Sequence, residues 1–206
     1  MARLNVNPTR MELKKLKGRL ATAVRGHKLL KDKSDEMIRR FTLLLKETKT
    51  LRDEVEKDLS ATLRQFSLAR SLTPAHVAEA AFAMPSVSVT VDCETDSIMG
   101  IDVPKLAIAS SQRVKGLPYA YAEMTGEADY SVEMVEGLLP KMIALAQSEK
   151  AVRMLASEIE RNKRRVNALE YVMIPQLQET IKYIKDKLDE NERAAVVRLM
   201  KVKSKA

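Results

Sequence analysis

The chain has no tryptophan, and only 4% of its residues are aromatic. Bulky groups for a thick globular core are therefore scarce. Cys93 is the only cysteine. It excludes an internal disulfide and a cysteine-based metal site, and fits a reducing cytosol. His27 and His76 are the only histidines, and no His-Glu-x-x-His occurs. A Gly-x-x-x-x-Gly-Lys-Ser/Thr phosphate loop and a Gly-x-Ser-x-Gly nucleophile elbow are also missing, which removes the nucleotide-binding and hydrolase classes those motifs mark. Long apolar runs are absent too. The longest uncharged stretch, Ala80 to Val91, contains Pro85 and is too short to span a bilayer. The N-terminus is charged, so no secretory signal is expected.

What is present is a stride. Leu13, Leu16, Leu20, Ala23, His27, Leu30, Ser34, Met37, Phe41, Leu44, Thr48, Leu51 and Val55 follow one another at steps of three and four. A second series holds Leu155, Ile159, Asn162, Val166, Leu169, Met173, Leu177, Ile181, Ile184 and Leu188. Such spacing puts a narrow apolar seam on a long helix, the width that suits coiled-coil packing. The fold expected is mainly α: a long antiparallel two-helix coiled coil with a short helix and a small β-hairpin inserted in its middle. Residues 1–71 and 128–206 form the two arms, and 72–127 the insertion. Leu13–Val55 is expected to face Leu155–Leu188, with residues 20 and 190 near each other. His27, Ser34, Thr48 and Asn162 put polar groups on the seam, which trades stability for a fixed register.

Thr9 with Glu12 fits a capping box at the start of the first helix, which then runs to about Ser71. After Val55 the seam is expected to change phase, continuing at Leu59, Leu63 and Phe66. Gly26, beside the seam, suggests another backbone passing close by. Thr73-Pro74 predicts the cap of a short helix, Ala75 to about Ala83. Ser86 to Cys93 alternates Val with small polar residues and predicts a half-buried strand. Glu94 to Ser97 is turn-like, and Ile98 to Ala109 reads as the returning strand with Pro104 at an edge. The hairpin residues Val87, Val89, Val91, Ile101 and Val103 are expected to supply its apolar face. Residues 110–126 read as loop, with Gly116 and Pro118. The last helix is expected from Ala128 to Met200, bent near Pro140 and Pro175.

The net charge of +8 is uneven. Residues 1–50 carry +9, residues 71–150 carry −6, and residues 151–206 carry +5. A chain folded back on itself would bring its basic ends to one pole and its acidic middle to the other, with unlike partners at each. The basic clusters around Lys14, Arg39 and Lys163 raise nucleic-acid binding. They lack interleaved aromatic residues and a reading module, so protein contact ranks above it. Carboxylates lie among Lys and Arg on helices, where solvated ion pairing is the default.

Val6-Asn7-Pro8-Thr9-Arg10, Leu16-Lys17-x-Arg19-Leu20 and Arg25-Gly26-His27-Lys28-Leu29-Leu30-Lys31-Asp32-Lys33 closely resemble the start of the D subunit of V-type and archaeal-type rotary ATPases. Arg164-Arg165-Val166-Asn167-Ala168-Leu169-Glu170-Tyr171-Val172, Ile174-Pro175-x-Leu177, Thr180-Ile181-x-Tyr183-Ile184, Leu188-Asp189-Glu190 and Glu192-Arg193 resemble its end. Gly18, where a Lys or Arg is expected, and the uncharged Ala194-Ala195-Val196-Val197 depart from the pattern. The resemblance implies a non-catalytic axle of the central stalk with no cofactor. It also implies torque passing between a hexamer of A and B subunits and a membrane ring that moves H⁺ or Na⁺. Implied partners are the F subunit of the central stalk, the A and B subunits and the funnel-shaped subunit that caps the ring. Implied hexamer-end contacts are Arg10, Lys14, Arg19, Arg25, Lys185, Asp189, Glu190, Arg193 and Arg198. The expected location is peripheral, on the cytoplasmic face of a prokaryotic membrane. The alternative is a cytosolic coiled-coil scaffold or adaptor without a motor, which would co-purify without an ATPase.

Overall fold

The computed structural model describes residues 3–83, 85, 87–113, 119 and 124–204. Helix α1 spans Arg10–Leu72 and the short α2 Ala75–Ala81. Strands β1 (Val87–Ile98) and β2 (Ile101–Arg113) form an antiparallel hairpin. Helix α3 (Gly126–Ala168) passes through a π-helical turn, Leu169–Met173, into α4 (Ile174–Lys203). The chain is thus a pair of long helices carrying a small β-hairpin, as the seams predict. Its contacts divide into two units, Met1–Ile38 with Ile159–Ala206, and Arg39–Glu158.

In the first unit the core is Leu16, Leu177 and Ile184, flanked by Leu13, Leu20, Ala23, Ile181 and Leu188. Met37 is fully buried beside Asn162, whose Nδ2 donates to the Met37 sulfur at 3.4 Å. Leu30, Ile159, Val166 and Leu169 are half-buried. Arg10 pairs with Glu192 and His27 with Glu170, which fixes an antiparallel register. That register corrects one expectation: residues near 190 lie opposite residues near 10, almost three helical turns from Leu20. A second finding had no counterpart in the sequence pattern. Leu4 and Val6, before the helix, pack on this core, and the Leu4 N–H donates to Thr180 Oγ1 at 3.2 Å. Arg3 stacks on the Tyr183 ring at 4.5 Å. The N-terminal segment is therefore a strap that seals the seam.

At the start of α1 half of the capping box forms. Glu12 N–H donates to Thr9 Oγ1 at 3.3 Å, whereas Thr9 N–H is taken by the Asn7 carbonyl at 2.9 Å. Gly26 does not mark a close backbone approach: a Cβ built there, or at Gly18, meets nothing within 4 Å. The bend expected at Pro175 takes the form of the π turn. Ile174 N–H reaches back to the Leu169 carbonyl, just before the residue that has no N–H to give. Pro140 is absorbed within α3.

In the second unit, Val103, Ala151 and Leu155 are buried together, with Phe41, Leu44, Ile98 and Ile101 around them. Leu51 is half-buried and Val55 buried. Arg52 pairs with Glu149 at 3.0 Å and Lys141 with Asp58 at 2.6 Å. The phase change expected after Val55 is met in part: Leu59 and Phe66 are half-buried, but Leu63 is 56% exposed and the buried positions of this stretch are Thr62 and Ala69. Thr62 hides its polarity by donating to the Asp58 carbonyl at 2.8 Å, so a hydroxyl serves as a seam residue. Farther along, Phe66 and Tyr119 meet Phe82 edge-on.

The insertion differs from expectation in four places. Thr73 does not cap α2. Its hydroxyl donates back to the Ala69 carbonyl at 3.1 Å, and α2 ends at Ala81. Glu94–Ser97 belongs to β1, and the turn is Met99-Gly100, with φ of 56° and 81°. Both residues are left-handed, the requirement of the two-residue turn whose twist suits a hairpin. Residues 110–113 belong to β2 instead of a loop, while Ser86, Gly116 and Pro118 lie outside the described residues. A register shift between Thr90 and Val91 turns the strand, so Val87 and Val89 are half-buried but Val91 is 40% exposed. The buried part of the hairpin is its tip half, at Val103. Phe41, Leu44, Ala151 and Leu155 of the helices receive the hairpin.

Candidate functional site

The charged residues that the resemblance implies as partner contacts lie on the first unit. Arg10 Nη2 lies 2.5 Å from Glu192 Oε1, both well exposed. Lys187 Nζ lies 2.9 Å from Glu190 Oε2 on one helix face. The hydrogen bond from Lys187, reinforced by its charge, holds the Glu190 carboxyl below its usual range. The same bond holds the Lys187 ammonium above its own. Lys14, Arg19, Arg25, Lys185, Asp189, Arg193 and Arg198 are all placed on the first unit, and all seven are exposed.

Beyond Glu192, every residue of α4 is exposed. Val196 and Val197 are about half exposed (49% and 50%), and Leu199, Met200 and Val202 about two thirds (70%, 65% and 67%). An isolated helix carrying this much apolar surface is marginal in water. Arg198, Lys201 and Lys203 are interleaved with it. A shallow groove between Asp189, Glu192, Arg193, Val196, Val197 and Met200 opens beside the Arg10 pair. The sequence pattern pointed to the charges here and missed the apolar residues. The uncharged Ala194–Val197 run was the available signal.

A second feature lies at the π turn. Met173, expected on the seam, is 49% exposed, and so are Tyr171 (62%) and Val172 (59%). Leu169 and Met173 line an open groove with Leu4, Gly18, Thr22 and Ala23. Glu170 reaches His27 Nε2 at 3.3 Å. The seam from Asn162 to Leu188 covers 26 residues in seven steps, about 3.7 per step, more than the ~3.6 of a straight helix. One wide turn absorbs the difference and keeps both halves facing α1.

Among the described residues, no group of three or more His, Cys, Asp or Glu is placed to hold a metal ion. Also among them, no helix is long and apolar enough to cross a membrane. Cys93 is an exposed free thiol.

The family model for the ATP synthase D subunit matches residues 12–204. The V-type ATP synthase D subunit of Thermoanaerobacter sp. (strain X514) is 49% identical over 203 residues, covering 98% of this chain and 97% of the relative. That of Clostridium botulinum (strain ATCC 19397 / Type A) is 49% identical over 207 residues, covering 98% and 95%. The family match spans both helices and the hairpin between them, and the chain belongs to the family of ATP synthase D subunits.

Proposed function

We propose that this chain is the axle of the central stalk of a V/A-type rotary ATPase. In this reading it is non-catalytic and carries torque between the A–B hexamer and the membrane ring that moves H⁺ or Na⁺. The observation that carries the reading is the end of α4, an apolar and basic helix tip that the chain itself leaves uncovered beyond the Arg10–Glu192 pair. Such a tip is stable when a surrounding partner takes up its side chains. The A and B subunits fill that role, with Arg10, Lys14, Arg19, Arg25, Lys185, Asp189, Glu190, Arg193 and Arg198 at the contact. The paired helices behind the tip supply stiffness. The buried Asn162, whose side chain reaches Met37 across the seam, holds the register under load.

The F subunit and the funnel-shaped ring cap fall to the acidic middle of the chain, which places the protein peripherally on the cytoplasmic side of a prokaryotic membrane. Affinity capture of the tagged chain from gently solubilised membranes tests the reading. It should bring down the A and B subunits with ATPase activity. Recovery of the chain with other proteins and no ATPase would establish the scaffold alternative instead.

A further inference from the structure

The two edges of the hairpin are treated differently. The Met99-Gly100 turn has two residues, so Ile98 and Ile101 form a hydrogen-bonded pair. Pairs then alternate along the ladder. Asp96–Val103 and Glu94–Lys105 are bonded, while Thr95–Pro104 and Cys93–Leu106 are not. Residues of the unbonded pairs turn their own N–H and C=O outward. Two contacts agree with this parity. Leu106 N–H points away from β1 and donates to Gln147 Oε1 at 3.0 Å. Pro104, with no N–H, stands at an outward position. The outer edge of β2 therefore offers no free N–H at Pro104 or Leu106.

At the turn end of the outer edge of β1, Ser97 N–H donates to Asp96 Oδ1 at 2.8 Å. Val91, Cys93 and Thr95 keep outward N–H and C=O groups, and every residue from Val91 to Ser97 is exposed on both faces. An open edge of this length is a template for another strand. Its neighbours set the chemistry: Asp92, Glu94 and Asp96 recur at every second residue on one face.

We propose that the β1 edge, Val91–Thr95, binds an extended segment of another polypeptide by strand addition. The segment carries Lys or Arg at every second residue, opposite Asp92, Glu94 and Asp96. Backbone bonds to Val91, Cys93 and Thr95 supply the pairing, and the alternating charges select the strand and its facing side. The assignment stands on the hairpin alone and does not depend on the rotor reading.

The test uses the full chain with a synthetic peptide alternating Lys with Val, and a control alternating Glu with Val. With the Lys peptide in excess, the amides of Cys93 and Thr95 should exchange with deuterium about tenfold more slowly or better, and with the Glu peptide they should not change. Thr95→Pro removes an outward donor without touching a ladder bond, and should abolish Lys-peptide binding. Unchanged exchange with the Lys peptide overturns the proposal. So does equal binding by Thr95→Pro, which would mean attraction to carboxylates without strand pairing. If Thr95→Pro disturbs the hairpin, Asp92→Lys with Glu94→Lys replaces it. Preference must then invert to the Glu peptide, and failure to invert overturns the proposal.

Discussion

In the unit formed by residues 1–38 and 159–206, two helices close their seam with side chains of one layer, Leu16 against Leu177 and Ile184, and the strap at Leu4 and Val6 covers it. In the unit formed by residues 39–158, the same stride is closed by a third element, with Val103 of the hairpin seated among Phe41, Leu44, Ala151 and Leu155. One unit is a bare shaft with its apolar surplus at the tip. The other is a small layered domain. The same three-and-four pattern serves both, so the pattern states that a helix will pair and leaves open with what.

Replacing residues 87–109 with a short Gly/Ser linker should separate the two units most sharply. The linker strips the cover from Leu155 and Ala151. Circular dichroism should show a lower melting temperature, and amide protection should fall along residues 39–72 and 126–158 while residues 10–38 keep theirs. Uniform loss would mean that the units fold as one. In the assembled enzyme the same variant should also lower ATPase turnover.

Next in size is Leu155→Ala. Leu155 is 1% exposed, and truncation of such a residue costs about 2–5 kcal/mol in urea unfolding. Val91→Ala in the same hairpin is the contrast: Val91 is 40% exposed, and the change should cost less than ~0.5 kcal/mol.

Smaller still are the glycines of the shaft. Gly18→Ala and Gly26→Ala each fit without a clash and should raise stability by about 0.5–1 kcal/mol. Deleting Val172 should straighten the π turn, since seven seam steps would then cover one residue fewer, near the ~3.6 of an α-helix. The variant should fold and bury the same Leu177 and Ile184. A lost helical signal would show that the wide turn is required for pairing.

The smallest effects are electrostatic, and they differ in kind between the units. Lys187–Glu190 lies within one turn of α4, whereas Lys141–Asp58 joins two helices. Glu190 is held below its usual value, so its contribution is present above the unfolded carboxyl range and is lost as pH falls through the lowered value. Lys141 is held above its usual value, first by its hydrogen bond to Asp58 and then by that charge. Its contribution is present below the unfolded lysine range and is lost as pH rises through the raised value. Both pairs are exposed and screened by salt. Lys141→Met should flatten the alkaline limb of the melting curve, and Glu190→Gln should flatten the acid limb and, by releasing Lys187, the alkaline limb as well.

The helices and an irregularity at Pro175 were legible because each rests on local sequence, and the antiparallel pairing because two matched seams flank one insertion. Four features were not, each for a physical reason. Thr62 hides a hydroxyl against its own helix, so a polar letter stands on an apolar seam. Met99 takes a left-handed conformation that only Gly100 announces, which moved the turn. β1 loses its cover beyond the register shift at Thr90/Val91, where Ala109 of β2 is left unpaired, so alternation alone misplaced Val91. The strap at Leu4 and Val6 is too short to show a period. At the candidate site the charges were legible from the resemblance, whereas the apolar tip from Val196 to Val202 shows no seam because nothing in the chain packs on it.

The central claim is rotation, and it can be watched. In the assembled enzyme, Ser71→Cys in a Cys93→Ser background gives one attachment point for a bead, with the A and B subunits fixed to glass. On adding ATP the bead should turn in one direction at a rate set by ATP concentration. Val196→Asp with Met200→Asp at the tip should weaken or abolish that motion. ATP hydrolysis at full rate with a bead that only jitters in place would contradict the account.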